Sequence, residues 1–152
     1  MDLRDLYQDI ILDHGRRPRN FRAIEHPTHT AQGYNPLCGD RVTIYVDLDG
    51  DRIGDLSFEG RGCAISTAAA SLMTEVLKGK TVAEARELFA QFRARVTGGT
   101  APPLSERLAE ELDRLEPLTG VKSYPARVKC ATLSWHALEA ALAGGAATVK
   151  TE

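Results

Sequence analysis

The chain has 152 residues, 43% hydrophobic and 26% charged, enough for one ordinary globular domain with an unstapled core and too apolar for a disordered chain. A formal net charge of -2 removes the electrostatic case for nucleic acid or an anionic membrane surface as a partner. No apolar run approaches the roughly 20 residues that cross a bilayer, and the acidic start Met1-Asp2-Leu3-Arg4-Asp5 is unlike a secretory signal, so a cytoplasmic location is expected.

Residues 2–14 predict an amphipathic helix, with Leu3, Leu6, Tyr7, Ile10 and Ile11 on one stripe and Asp2 able to cap its start. The basic stretch His14-Gly15-Arg16-Arg17-Pro18-Arg19 cannot continue that helix past its Gly and Pro. It reads as a solvated connector, with a docking surface for an acidic partner as the alternative. Residues 22–37 show no helical period and read as a loop. Its His26 and His29 could pair on a metal, but no Cys or second pair adjoins them, and exposed loop histidines are the simpler account.

Val42, Ile44, Val46 and Leu48 alternate with polar residues at the period of a half-buried strand. Asp49-Gly50 is a tight-turn pair, and Arg52 to Glu59 should return with Leu56 and Phe58 inward. Gly60-Arg61-Gly62 should break the ladder just before Cys63. From Cys63 to Leu77 the many small residues predict a closely packed helix that stops at Gly79. Thr81-Val82-Ala83-Glu84 is a capping box for a helix to about Arg95. After the Gly98–Pro103 loop, Leu104, Leu108, Leu112 and Leu115 mark a third helix ended by Pro117. A last helix opens at Pro125 and runs to Gly144-Gly145. The sum is an α+β fold, a small antiparallel sheet covered on one face by helices. Residues 1–145 form its single domain and 146–152 a flexible tail.

The chain has three cysteines, a pattern that in a reducing compartment suggests free thiols or metal ligands rather than disulfides. Cys38, Asp40, Cys63 and Cys130 would make a tetrahedral zinc shell of three sulfurs and one oxygen. Cys63 and Cys130 are expected near helix starts, where the dipole and unpaired N–H groups favour thiolate, and Arg127 and Lys129 add positive charge beside Cys130. Gly39 lets Cys38 and Asp40 curl toward one point. Spacing alone leaves the alternative open that these are unconnected buried thiols and that Asp40 is only a turn former.

Asn35-Pro36-Leu37-Cys38-Gly39-Asp40, Gly60-Arg61-Gly62-Cys63-Ala64-Ile65-Ser66 and Arg127-Val128-Lys129-Cys130 resemble, in order, the three signature segments of the IscU/NifU N-terminal superfamily of iron–sulfur cluster assembly proteins. The resemblance runs from Asp13-His14 through the last helix. It is closer to the SufU branch, because Lys129 stands where scaffold-type IscU proteins carry histidine and the span of about 90–120 resembles the extra SufU segment. Ser123-Tyr124-Pro125-Ala126-Arg127 replaces the Leu-Pro-Pro-Val-Lys chaperone-docking motif of IscU, so chaperone docking does not carry over.

The resemblance implies a SufE/NifU-like (IscU-type) fold and a zinc-dependent sulfurtransferase that activates a cysteine desulfurase. It would take persulfide sulfur from a SufS-type desulfurase and pass it to a SufBCD scaffold. Cys38 would be the catalytic acceptor thiol, Cys38, Asp40, Cys63 and Cys130 the metal ligands, and Arg127 a contact to the desulfurase. Release of Cys38 from the metal by an incoming partner ligand would free it to attack. A scaffold that builds a [2Fe–2S] cluster on the same four side chains, with iron or a transient cluster in place of Zn²⁺, is the alternative, and a purely structural zinc or thiol protein is the third.

Overall fold

The computed structural model describes residues 3–144 and 148–150 of the chain. Its elements are α1 (Leu3–Arg16), β1 (His29–Asn35), β2 (Asp40–Asp49), β3 (Arg52–Arg61), α2 (Ala64–Leu77), α3 (Val82–Thr97), α4 (Glu106–Asp113), a 3-10 helix (Glu116–Ser123), α5 (Pro125–Leu142) and β4 (Thr148–Lys150). The strands form one sheet in the order β3-β2-β1-β4, with β1, β2 and β3 antiparallel and β4 parallel to β1. The arrangement is α+β, as the strand and helix periods predict.

Alternation along β2 buries Val42, Ile44 and Val46 and leaves Arg41 and Asp47 exposed. Ile53, Leu56 and Phe58 add the inward side of β3. The small, almost chargeless α2 is buried from Ala68 to Thr74 and packs against β3, α1 and α5. Trp135 of α5 stacks between Phe89 (5.5 Å) and Phe92 (5.7 Å), which fixes α5 against α3. The capping box of α3 is present in full, Thr81 and Glu84 each satisfying the other's backbone N–H.

Several expectations are corrected. Residues 22–37 are not all loop, because His29–Asn35 is the strand β1. Its inward residues are Ala31, Gly33 and Asn35, too small or too polar to give a hydrophobic period. The reason lies in α5: a Cβ on Gly33 would stand 3.0 Å from Leu133 and 3.3 Å from Ala137, so the strand is trimmed to let the helix lie on it. The third helix is shorter than predicted. It ends at Asp113, and Pro117 sits in the first turn of the 3-10 helix, where its missing N–H costs nothing. The β2–β3 ladder does not break at Gly60 but continues to the Arg41–Arg61 pair.

Gly15 does not stop α1, which runs on to Arg16, and the basic stretch of residues 14–19 at its end is not a solvated connector. His14 Nδ1 lies 2.7 Å from Ser71 Oγ on α2, and the Arg19 N–H donates to the same oxygen at 2.8 Å. Asn20 donates to Thr74 and accepts from Lys78, and Arg19 pairs with Asp13 at 2.6 Å. The stretch is a strap that buckles α1 onto α2. His14 is buried, and burial first, then the Arg19 charge, pushes its pKa below the ordinary histidine value.

The expected tail contains the short strand β4, whose Thr148, Val149 and Lys150 pair with Gln32, Gly33 and Tyr34. An edge strand with unpaired backbone groups gains by such a partner. The rest of the tail, residues 146–147 and 151–152, and the Asp2 cap lie outside the described residues.

Candidate metal centre

The loop between β1 and β2 is closed by the Gly39 N–H, which donates to Asn35 O at 2.8 Å with Gly39 at φ 71°. This turn exposes Cys38 and sends the Asp40 carboxylate inward, where it is fully buried at the first position of β2. Asp40 Oδ1 accepts the Cys63 backbone N–H at 2.9 Å. The approach is so close that a Cβ on Gly62 would stand 2.4 Å from that oxygen. Gly62 is therefore a requirement of the site.

Cys63 is the N-cap of α2, and its Sγ accepts the Ser66 N–H at 3.4 Å. Cys130 comes from the second turn of α5 and is fully buried. Its Sγ lies 3.4 Å from Cys38 Sγ. One ligand atom from each of Cys38, Asp40 and Cys130 falls within 4.8 Å of the others, the arrangement of a group able to hold a metal ion. Cys63 stands just outside it, with Sγ 4.0 Å from Asp40 Oδ2. Three of the four side chains named from the sequence thus meet, and the fourth, Cys63, reaches the group through Asp40. His26 and His29 do not join them: His26 is exposed beside Glu25, and His29 bonds to Thr28.

The electrostatics differ from the expectation at Cys130. Its place in the second turn puts it beyond the unpaired N–H groups of the first, so the dipole argument applies to Cys63 and not to Cys130. Burial first, then hydrogen bonding with Asp40 and Cys38, drives the Cys130 thiol far above the ordinary cysteine range. Burial thus outweighs the cations on the neighbouring residues at this thiol. Arg127 feels the opposite influence: the Cys63 sulfur, then those of Cys130 and Cys38, raise its pKa. Arg127 and Cys63 line the same groove, so the positive charge of Arg127 faces the thiol side of the cluster.

Asn35 carried no role in the sequence reading although it opens the first motif. It is fully buried, and its Nδ2 donates to both Asp40 Oδ2 (3.3 Å) and Cys130 Sγ (3.4 Å). The signal was the polar residue on the inward face of β1, which was invisible while that strand was unrecognised.

Arg127 and Cys63 also line one end of an apolar groove of about 380 Å³ walled by Ile11, Ile65, Pro117 and Tyr124. Leu37 and Tyr124, both 65% exposed, flank the cluster.

The description of the NifU-like N-terminal domain matches residues 6–147. The chain belongs to that family. It is 40% identical over 142 residues to the zinc-dependent sulfurtransferase SufU of Bacillus subtilis (strain 168), covering 93% of this chain and 92% of that protein. It is 39% identical over 140 residues to the iron–sulfur cluster assembly scaffold protein IscU of Streptococcus pyogenes serotype M1, covering 92% and 84%. Among solved structures it superposes with a TM-score of 0.80 at 36% identity on a protein of Fervidobacterium islandicum AW-1, provisionally named an iron–sulfur cluster assembly scaffold protein for the SUF system. That match covers 93% of this chain and 99% of the other. The SufU-like, IscU-like character seen in the three motifs is therefore that of an iron–sulfur cluster assembly family. Among the described residues no helix is long and apolar enough to cross a membrane.

Proposed function

We propose that the chain is a zinc-dependent sulfur acceptor in cytoplasmic iron–sulfur cluster assembly, taking persulfide sulfur from a SufS-type cysteine desulfurase and passing it to a SufBCD-type scaffold. The observation that carries the proposal is the meeting of Cys38, Asp40 and Cys130 within 4.8 Å, with Cys63 beside them. The donor set fits zinc, which favours thiolate and carboxylate in a tetrahedral shell. Cys38, Asp40, Cys63 and Cys130 would hold the ion. Bound zinc would keep these sulfurs deprotonated and temper their reactivity.

The chain's own residues divide the work. Cys38 is the acceptor, because it alone of the three thiols is exposed and sits on a loop rather than a helix. Its thiolate attacks the terminal sulfur of the donor persulfide. The donor S–S bond breaks, the donor cysteine leaves as thiolate, and the sulfur remains on Cys38 as a persulfide. Arg127, exposed on the rim of the groove that Cys63 also lines, favours the anionic groups on both sides of this exchange. The apolar groove beside it suits docking of the desulfurase, with Leu37 and Tyr124 as further contacts.

The test is a desulfurase assay with alanine release and sulfur labelling, run beside metal analysis of the purified protein. Zinc near one per chain, stimulation of desulfuration, and label on Cys38 that is lost in Cys38→Ser are expected. Arg127→Ala should weaken stimulation with zinc retained. Label acceptance by Cys38→Ser equal to the unaltered protein would refute the assignment. Assembly of a [2Fe–2S] cluster without stimulation would favour the scaffold role that the name of the Streptococcus relative describes.

A further inference from the structure

We propose that Asn35 is a positioning residue of the metal centre, a buried amide that clasps Asp40 and Cys130 together and leaves Cys38 as the ligand free to exchange. The proposal rests on the metal reading of the site given above.

The argument begins with satisfaction of a buried amide. Asn35 is fully buried, so each of its polar atoms needs a partner. Its Oδ1 accepts the Leu37 N–H at 3.2 Å, which fixes the plane of the amide and decides which end carries the nitrogen. The nitrogen then has two hydrogens to give. One goes to Asp40 Oδ2 at 3.3 Å and the other to Cys130 Sγ at 3.4 Å. These acceptors lie on different elements, the start of β2 and the second turn of α5. A single side chain thereby spans the two halves of the cluster.

The remaining contacts extend the brace. Asp40 Oδ1 is held by the Cys63 N–H, and Cys63 Sγ by the Ser66 N–H. Asp40, Cys63 and Cys130 each accept a hydrogen bond from an N–H group, whereas Cys38 sits exposed on the β1–β2 loop, where its Sγ takes the Cys130 thiol contact at 3.4 Å. That contact must be lost once Cys130 gives up its proton to a metal. Both Asn35 bonds, by contrast, strengthen when their acceptors are ionised. The amide is therefore fitted to the loaded site more than to the empty one. Partners of this kind orient ligands, and their loss usually weakens metal binding 10–100-fold.

The test compares the unaltered protein with Asn35→Leu, which keeps the volume and removes both donors. Zinc affinity is read by competition with a chromophoric chelator, and cobalt(II) absorption reports thiolate number and tetrahedral geometry. We expect zinc affinity to fall at least about tenfold in the variant, with weakened and shifted cobalt bands. Unchanged affinity with native cobalt bands would overturn the proposal and leave the metal reading intact. Absence of cobalt bands in the unaltered protein would overturn both. Should Asn35→Leu fail to fold, the unaltered protein decides: loaded with ¹¹³Cd, its Asn35 side-chain amide should exchange slowly and show coupling to the metal across the N–H···S bond. Solvent-rate exchange without coupling would overturn the proposal.

Discussion

The backbone N–H of Cys63 donates to Oδ1 of Asp40 at 2.9 Å, joining the cap of α2 to the first residue of β2. The bond is possible only because residue 62 has no side chain. Gly62→Ala would force Cβ into the carboxylate and displace Asp40. The variant should lose about 1–3 kcal/mol of stability, as overpacked sites do, and bind zinc more weakly than the native chain. Urea unfolding and a chelator competition measure the two effects.

The three thiols should be modified in a fixed order in chelated protein. Cys38 is exposed, Cys63 is half-buried, and Cys130 is buried with its thiol pushed to high pKa by desolvation. Since the thiolate is the reacting form, iodoacetamide should label Cys38 first and Cys130 last. Peptide mass mapping over a time course reads this order. Metal loading should slow all three.

Stability should decline in mild acid. Burial lowers the folded-state pKa of His14, and burial followed by Arg93 lowers that of His136. A base with a depressed folded pKa contributes stability above its unfolded pKa, about 6.5. As the pH falls below that point, the unfolded chain takes up a proton the folded one refuses. Each histidine can then cost up to about 1.4 kcal/mol per pH unit. His14→Asn, which can still reach Ser71 but does not titrate, should flatten one share of the slope between pH 6.5 and 5 in unfolding titrations.

Much of this molecule could be read from its residues, and the parts that could not share a cause. The helices that open near Cys63, Thr81 and Pro125 and the β2–β3 pairing carry strong periods or caps and emerge in place, while the helix after the loop at residues 98–103 is shorter than its leucines suggest. The β1 strand carries neither, because α5 lies against it and demands Ala31 and Gly33 where a strand usually shows large apolar residues. Cys130 was expected near a helix start and lies in the second turn of the helix that opens at Pro125 as predicted, one turn too deep for the unpaired N–H groups to reach it. The meeting of Cys38, Asp40 and Cys130 was suggested by the ordered motifs rather than by spacing, and Cys63 stands at the edge of that group. Asn35 and Gly62 act through contacts of a few ångströms between distant segments, which a linear pattern does not encode.

The same close contact makes Gly33 a test of how the sheet is held. Gly33→Ala would bring a methyl to 3.0 Å from Leu133 and 3.1 Å from Val42. We expect about 1–3 kcal/mol of destabilisation in chemical denaturation. The β2–β3 hairpin should keep its amide protection while β1 loses protection, as measured by hydrogen exchange.

The pairing of Cys38 with Cys130 bridges 92 positions of sequence. During synthesis at 5–20 residues per second, the nascent polypeptide must wait roughly 5 to 18 seconds between emergence of the first thiol and the last. Until then the early thiol has no distant companion, and no truncated product can assemble the complete cluster. Capture of an ion by this constellation would accordingly wait until the second turn of α5 has emerged.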